Sequence, residues 1–357
     1  MTTVTHEDVL AAAGRIDGLV LRTPVLEVSA GLFLKLELLQ HSGSFKVRGA
    51  FNRMLSAGPL PPSGVIAASG GNHGLAVAYA ARELGVRAEI FVPEVTSPVK
   101  VAGLEALGAH ITQTGAIYSE AAEAAAKRAA ETGALSVHAY DQAEVVAGQG
   151  TTGLEVVAQV EDVDTVVVAV GGGGFAAGIT LGTLSPSSSS SPDASSFGVS
   201  ASGASASGAS ASGASAPGVS PSGAYASGTS AGGAFGAGPR IVAVEPERIP
   251  TLHEALRAGE PVPVEVGGVA ADALGATKLG SLAFEILSGP RVQSVLVSDE
   301  AIVAARRTLW ARHRVAAEHA GAAAYAALLS GAYRPEEGER VAVVVCGSNT
   351  DPATLTT

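Results

Sequence analysis

Stretches rich in valine and isoleucine alternate with stretches rich in alanine and leucine along most of this 357-residue chain. The first kind is typical of buried strands, and the second carries the spacing of helices that cover a sheet. We expect strands at residues 33–37, 65–68, 88–92, 109–113, 165–170, 240–245, 292–297 and 341–345. Because parallel strands need a long crossover, usually a helix, this alternation predicts an α/β fold with mainly parallel sheets covered by helices.

Length and composition limit the classes of protein that fit. A chain of 357 residues with 47% hydrophobic residues is long enough for two domains with substantial cores. Its net charge of −11 argues against binding nucleic acid or an anionic membrane through bulk electrostatics. The single cysteine, Cys346, excludes an internal disulfide and fits a reducing compartment. The sequence shows neither a signal peptide nor a membrane-spanning apolar run, so we expect a cytoplasmic protein.

Residues 184–239 differ in composition from the rest of the chain. They are dominated by Ser, Gly and Ala, contain Asp193 as their only charged residue, and repeat Ser-Gly-Ala-Ser-Ala three times over residues 202–216. Such a segment buries too little apolar surface to offset the entropy that it would lose on ordering. We expect a disordered low-complexity insert that is tolerated rather than functional, with a lid or a tether as the alternative.

Lys46 lies in a turn of small residues next to Phe45, at the start of a predicted helix. It is one of only five lysines in the chain, against seventeen arginines. Burial at such a position lowers the pKa of an amine, and a neutral lysine amine is what forms an imine with an aldehyde cofactor. Taken alone, residues 42–50 fit an exposed lysine at a helix start equally well.

Three further motifs follow predicted strands. Residues 69–74 read Ser-Gly-Gly-Asn-His-Gly, residues 171–175 read Gly-Gly-Gly-Gly-Phe, and residues 346–350 read Cys-Gly-Ser-Asn-Thr. In this order and at these separations, the four motifs resemble those of the serine/threonine dehydratase group of fold-type II pyridoxal-phosphate enzymes. A secondary match that begins at Glu318 agrees, and the resemblance covers nearly the whole chain apart from the insert.

The resemblance implies a tryptophan synthase β-like architecture of two domains, with the smaller inserted into the larger and the cofactor between them. Mapped onto this chain, residues 1–54 and 143–357 form the large cofactor-binding domain, which carries the insert 184–239. Residues 55–142 form the small domain. A homodimer is the habit of the family, so we expect one here.

The resemblance also implies roles around the cofactor. Lys46 would hold pyridoxal 5'-phosphate as a Schiff base and, once a substrate amine displaces it, would act as general base. Phe45 would pack beside the cofactor, and Cys346 would face its ring nitrogen, although a lone cysteine is ordinarily a small buried hydrophobe. Because a thiol is a weak hydrogen-bond partner, the ring would remain a weak electron sink, which disfavours transamination and permits elimination.

Four consecutive glycines open the predicted helix after the strand at 165–170, and we call them the glycine loop: Gly171, Gly172, Gly173 and Gly174. Without Cβ atoms, their N–H groups can approach a phosphate closely, and the helix N-terminus favours its negative charge. The stretch also fits the dinucleotide fingerprint Gly-x-Gly-x-x-Ala, which requires an acidic residue about twenty positions further on. The serine-rich insert stands there, so we favour the phosphate of pyridoxal phosphate and keep a nicotinamide-dinucleotide oxidoreductase as an alternative.

A second loop, which we call the carboxylate loop, is expected to bind the substrate carboxylate through N–H groups at a helix start. It comprises Ser69, Gly70, Gly71, Asn72 and His73. In the family, the asparagine of this loop also reaches the phenolic oxygen of the cofactor, and a helix-capping turn is compatible with that role. Relatives that racemise serine carry a serine at the position of Gly70. Glycine has no side chain to move a proton, so we expect elimination without racemisation.

We assign no resident metal and leave one alternative open. Some family members bind a divalent or monovalent cation near the glutamate that matches Glu245, but Thr251 stands at the position of their second carboxylate. One carboxylate with carbonyl oxygens makes a weak site for a hard dication. A surface ion pair at a strand end is the simpler interpretation of Glu245.

Together these features predict a lyase that removes water and then ammonia from a β-hydroxy amino acid such as L-serine or L-threonine, leaving a 2-oxo acid. A β-replacement synthase would use the same Lys46 and the same glycine loop, and it is the nearest alternative. Arg48, two residues beyond Lys46, is assigned a structural role. The substrate side chain has no motif of its own in the sequence.

Overall fold

The computed structural model describes residues 3–184 and 238–355, which fall in one compact unit. The predicted insert at 184–239 lies, except for its ends, outside the described residues. Within the two described ranges, no helix has the length and apolar character needed to cross a membrane.

Strands and helices alternate along the described ranges. The strands are β1 (Val25–Ser29), β2 (Leu32–Lys35), β3 (Val65–Ala68), β4 (Ala88–Val92), β5 (His110–Gln113), β6 (Leu135–Ser136), β7 (Thr165–Ala169), β8 (Arg240–Pro246), β9 (Val292–Val297) and β10 (Val341–Val344). The helices are α1 (His6–Ile16), α2 (Lys46–Ser56), α3 (Asn72–Glu83), α4 (Pro98–Glu105), α5 (Tyr118–Thr132), α6 (Ala143–Gln159), α7 (Gly174–Gly182), α8 (Thr251–Ala258), α9 (Ala271–Leu274), α10 (Ser281–Leu287), α11 (Asp299–His313) and α12 (His319–Ser330).

The strands form two sheets. The larger has the order β1-β2-β10-β7-β8-β9, and all its neighbours are parallel except β1 and β2. The smaller has the order β5-β4-β3-β6 and is entirely parallel. The predicted α/β class with mainly parallel sheets is confirmed. The strands of the smaller sheet fall within residues 55–142, while the domain boundaries themselves stay a prediction.

The central strands are buried on both faces, as parallel strands covered by helices must be. In the larger sheet, β7 and β10 consist of buried residues throughout, and their carboxyl ends lead into the glycine loop and Cys346. In the smaller sheet, β3 leads into the carboxylate loop. Since ligands of such sheets bind beyond the carboxyl ends of the strands, the fold brings the sequence motifs to one region.

Small residues allow helices α6 and α7 to approach each other closely. A Cβ atom built on Gly178 would lie 2.4 Å from the carbonyl oxygen of Val146, and one on Gly182 would lie 2.0 Å from that of Gly150. Any side chain at these positions would force the two helices apart. The abundance of glycine and alanine in the sequence therefore has a packing reason here.

Residues 42–46, which we call the lysine turn, lie close to a cluster of four charged side chains that we call the buried ion cluster. Arg48 donates from Nε and Nη2 to the two carboxylate oxygens of Glu37, at 2.8 and 2.7 Å, and from Nη1 to Glu155 at 2.8 Å. Lys35 donates to the second oxygen of Glu155. The two cations and two carboxylates balance in charge, so the structural role predicted for Arg48 is confirmed.

We expect Glu37→Gln to destabilise the protein by about 3–5 kcal/mol, the cost of breaking a buried ion pair on one side. Burial alone would raise the pKa of Glu37, but the charge and hydrogen bonds of Arg48 hold it below its usual range. The stabilisation is therefore present at neutral pH and is lost as pH falls through this lowered pKa. Urea denaturation measures the change.

Glu83→Gln is the matched control, because Glu83 pairs with Arg82 where both side chains are largely exposed. Surface pairs of this kind contribute about 0–1 kcal/mol. Equal losses in the two variants would contradict the structural importance of the buried ion cluster.

Candidate active site

Lys46 begins helix α2 at the edge of a cleft that runs between the two sheets. Its Nζ donates a hydrogen bond of 2.7 Å to the carbonyl oxygen of Ala139. The side chain faces no carboxylate at hydrogen-bond distance among the described residues, and burial lowers the pKa of Lys46 to about 8. The preceding Ser44 is fully buried, and its hydroxyl finds no hydrogen-bond partner in the part of the chain that the structure describes.

We expect the rate at which the cofactor-free protein takes up pyridoxal phosphate to rise with pH and to level off above about pH 8. The neutral amine is the reacting form, and its fraction saturates once pH exceeds the pKa. An unperturbed lysine, with a pKa of 10.5, would keep gaining rate well beyond that point. Stopped-flow absorbance measures the uptake rate. The control is free lysine with its α-amine blocked, so that its side-chain amine reacts with an unperturbed pKa. If the rates of the protein and of this control depend on pH in the same way, the lowered pKa of Lys46 is contradicted.

The glycine loop lies where the sequence predicts, between the end of β7 and the start of α7. Gly173, which caps α7, has a φ of 84°, in the left-handed region that side chains rarely adopt. A Cβ atom on Gly172 would lie 2.4 Å from the ring of Tyr140, and one on Gly174 would lie 2.3 Å from the carbonyl oxygen of Tyr140. The loop is therefore a tight backbone cradle whose N–H groups stand at a helix N-terminus.

The loop that carries Cys346 is joined to the lysine turn by backbone contacts. Ser44 and Gly347 form an isolated β-bridge, and the N–H of Phe45 donates to the carbonyl of Cys346 at 3.3 Å. The thiol of Cys346 lies 3.7 Å from the carbonyl oxygen of Ala320, and burial raises its pKa well above the usual range. Cys346 therefore stays a neutral thiol, in the lining of the cavity that Lys46 also lines.

Phe45 packs face to face on Phe175, the first residue after the glycine loop, with ring centroids 3.7 Å apart. Both rings line the cavity that contains Lys46 and Cys346. The contact places an apolar wall beside the lysine amine, which lies 5.2 Å from the centroid of the Phe45 ring. That Phe45 packs beside the cofactor stays a prediction.

The carboxylate loop ends at the N-terminus of α3, with Gly71 as its cap. The N–H of Gly71 donates to the hydroxyl of Ser69 at 3.2 Å. The side chain of His73, the last residue of the loop, bonds through Nε2 to the carbonyl oxygen of Val137 at 2.9 Å. Since that oxygen can only accept, Nε2 carries the proton. Burial lowers the pKa of His73 to about 3, so the ring is neutral and an anion here would depend on backbone N–H groups.

The cleft beside the carboxylate loop has a volume of about 530 Å³. Lys46 and Tyr140 line both this cleft and the smaller cavity over the glycine loop, so the two spaces adjoin at the lysine. At the mouth, Lys100 of α4 forms an ion pair with Asp272 of α9. The volume lies in the range of small-molecule sites, which are about 300–1,000 Å³.

Two elements of the site are missed by reasoning from the sequence. The segment 138–141 supplies the carbonyl that holds Lys46 and the Tyr140 ring that covers Gly172, and burial raises the pKa of Tyr140 to about 12. Glu318 lines the cavity and accepts a hydrogen bond from Asn72. Burial raises the pKa of Glu318 to about 7. The one sequence signal for Glu318 is that the secondary match described above begins with this residue.

The interpretation of Glu245 as a surface ion pair is wrong, while a cation near it stays an untested alternative. It is fully buried at the end of β8, and its oxygens accept N–H bonds from Leu252 at 2.7 Å and His253 at 2.9 Å, at the start of α8. Burial raises its pKa to about 7. In the described parts of the chain, no group of three or more His, Cys, Asp or Glu side chains is placed to hold a metal ion.

The residues present fit pyridoxal phosphate. The glycine loop is a backbone cradle that Cβ atoms would fill, Lys46 has a lowered pKa, and the buried hydroxyl of Ser44 has a hydrogen bond left to make. A carboxylate needed for the ribose of a dinucleotide would come from Glu245, the acidic residue at the end of the next strand, and its oxygens are already used by α8.

The sequence matches the family described as pyridoxal-phosphate dependent enzyme over residues 16–235 and 219–347, and the chain belongs to that family. It is 32% identical to L-threonine ammonia-lyase of Thermotoga maritima, over 98% of this chain and 76% of the relative. It is 30% identical to serine racemase of Dictyostelium discoideum, over 99% of this chain and 97% of the relative. A solved structure of a threonine deaminase from T.th. is 32% identical with a TM-score of 0.75, covering 97% of this chain and 99% of that one.

These similarities confirm the fold-type II architecture, the cofactor and the resemblance to the serine/threonine dehydratase group. Both a lyase and a racemase stand among the similar proteins, so the family alone does not choose between their reactions.

Proposed function

We propose that the protein eliminates water from a β-hydroxy amino acid such as L-serine or L-threonine and releases a 2-oxo acid and ammonia. One observation carries the proposal. The amine of Lys46, which has a lowered pKa, lies in a cleft that the N-termini of α3 and α7 face. One N-terminus suits a phosphate and the other a carboxylate.

The residues of this chain would divide the work as follows. The glycine loop binds the phosphate, and the N–H groups of the carboxylate loop hold the substrate carboxylate. Lys46 accepts the proton from the substrate Cα, since a base with a pKa near the working pH is effective in that role. Pyridoxal phosphate, when bound, supplies the electron sink for the charge that develops at Cα. Cys346, a neutral thiol, gives the ring nitrogen a weak partner.

Racemisation needs a second group that delivers a proton to the opposite face of Cα. Gly70 supplies no side chain, and a Cβ atom built on it would lie 3.0 Å from the methyl group of Thr96. A side chain at that place would need Thr96 to yield. This favours elimination over racemisation, although a similar protein is named a racemase.

The test is to incubate the purified holoenzyme with L-serine and L-threonine and to measure 2-oxo acid, ammonia and the chirality of the remaining substrate. We expect equal amounts of 2-oxo acid and ammonia, with the remaining substrate still in the L form. Formation of D-serine at a comparable rate would overturn the preference for elimination. A new amino acid formed when sulfide is added, without 2-oxo acid, would favour the β-replacement alternative.

We propose in addition that the protein is a cytoplasmic homodimer with the domain boundaries given above. The dimer is what the resemblance implies, and light scattering after gel filtration measures its mass directly. A monomer at working concentration would contradict it.

A further inference from the structure

Glu318 is a buried carboxylate that the proposed reaction does not use. It immediately precedes α12, and its side chain is within the cavity that also contains Lys46 and Cys346. The residue is 7% exposed. Burying a carboxylate costs free energy unless the carboxylate is paired or hydrogen-bonded.

Its partner is the side-chain amide of Asn72. The Nδ2 group of Asn72 donates to Oε1 of Glu318 at 2.6 Å, and Oδ1 of Asn72 accepts from Nδ2 of Asn349 at 2.6 Å. Asn349 in turn donates to the carbonyl oxygen of Ser42, at 2.8 Å, in the lysine turn. An amide with a carboxylate at its nitrogen end and a donor at its oxygen end has one favoured orientation.

Gly347 leaves the space in which the carboxylate of Glu318 meets the amide of Asn72. A Cβ atom on Gly347 would lie 2.1 Å from Oε1 of Glu318 and 3.3 Å from Nδ2 of Asn72. A side chain at this position would displace the carboxylate from where it meets Asn72. The backbone strengthens the arrangement, because the N–H of Glu318 donates to the carbonyl oxygen of Gly347 at 3.0 Å.

We propose that Glu318 is a positioning residue for cofactor binding: its carboxylate fixes the amide of Asn72 and leaves the second N–H of that amide available to the cofactor ring. The inference rests on the cofactor site of the proposed function and not on the reaction. It explains why a carboxylate is buried at the start of α12 and why glycine follows Cys346.

A double-mutant cycle tests the proposal. The affinity of each cofactor-free protein for pyridoxal phosphate is measured by fluorescence titration, in wild type, Glu318→Ala, Asn72→Ala and the double variant. We expect about ten-fold weaker binding in Glu318→Ala, as for the loss of one hydrogen bond, and no further loss when Asn72 is already alanine. Additive losses, or an unchanged affinity in Glu318→Ala, would overturn the proposal.

Two further variants separate positioning from charge and from folding. Glu318→Gln keeps an acceptor oxygen, so it should bind within about three-fold of wild type and keep the absorbance maximum of the bound cofactor. Gly347→Ala keeps the carboxylate but takes its space, so it should behave as Glu318→Ala does. A Glu318→Gln variant as weak as Glu318→Ala would show that charge matters and positioning does not.

Thermal unfolding of each cofactor-free variant, with the exposed Glu337→Ala as control, identifies losses that come from misfolding. Should Glu318→Ala fail to fold, Glu318→Gln and Gly347→Ala still decide the question through the absorbance maximum. Cofactor binding is read in every case, so the outcome stands whether or not the holoenzyme acts on hydroxy amino acids.

Discussion

Lys46→Ala is expected to lose the long-wavelength absorbance of the bound cofactor and to produce 2-oxo acid at least about 10³-fold more slowly than wild type. Proton transfer by a positioned base alone contributes about 10²–10⁴-fold, and this lysine also holds the cofactor. Absorbance spectra before and after borohydride, with 2-oxo acid measured under saturating substrate, give both quantities.

Two variants control this experiment. Lys127→Ala removes an exposed lysine of α5 and should leave both readouts unchanged. Lys46→Arg keeps a positive charge at the site but cannot lose its proton in the working range, so it should be as inactive as the alanine variant. Activity in Lys46→Arg would show that charge, and not a neutral amine, is what the cleft needs.

Retention of wild-type turnover in Lys46→Ala would move the chemistry to another amine. Lys100 is the second lysine that lines the cleft, but it forms an ion pair with Asp272 at the mouth. Unlike Lys46, Lys100 does not line the cavity over the glycine loop. Lys46 differs because burial lowers its pKa while no carboxylate of the described residues holds its charge.

The sequence predicts the parts of the fold that repeat a local pattern. The carboxylate loop, the glycine loop and Cys346 each follow a buried run of valine, isoleucine or alanine, and each lies at the carboxyl end of β3, β7 or β10. A strand that is buried on both faces needs a continuous apolar run, which a reader of the sequence can see. Strand β1 escapes such a reading because it is an edge strand, largely exposed, with a mixed composition.

Contacts between residues far apart in sequence cannot be predicted in this way. Asn72 and Glu318 are separated by 246 positions, and Lys46 and the carbonyl of Ala139 by 93. No periodicity links such pairs, since the order of strands in the sheets decides which loops meet. The burial of Glu245 could not be predicted either. It depends on where α8 starts, and the sequence of β8, which carries Glu245, does not show that.

The second large effect is expected from adding one methyl group to the glycine loop. Gly172→Ala and Gly174→Ala should each weaken pyridoxal phosphate binding by about ten- to a hundred-fold, as forcing a methyl into a packed site costs about 1–3 kcal/mol. The Cβ of the first would meet the Tyr140 ring, and that of the second would meet the Tyr140 carbonyl oxygen. Titration of the cofactor-free variants measures the loss.

The two new methyl groups would meet different parts of Tyr140, so a variant of Tyr140 should affect the two penalties differently. In a Tyr140→Ala background the ring is gone but the carbonyl remains, so the penalty of Gly172→Ala should shrink while that of Gly174→Ala should persist. Gly14→Ala is the control, since a Cβ atom there meets nothing within 4 Å. If Gly172→Ala and Gly174→Ala weaken cofactor binding equally in wild type and in Tyr140→Ala, the glycine loop relaxes as a whole. Packing by Tyr140 would then not determine the shape of the glycine loop.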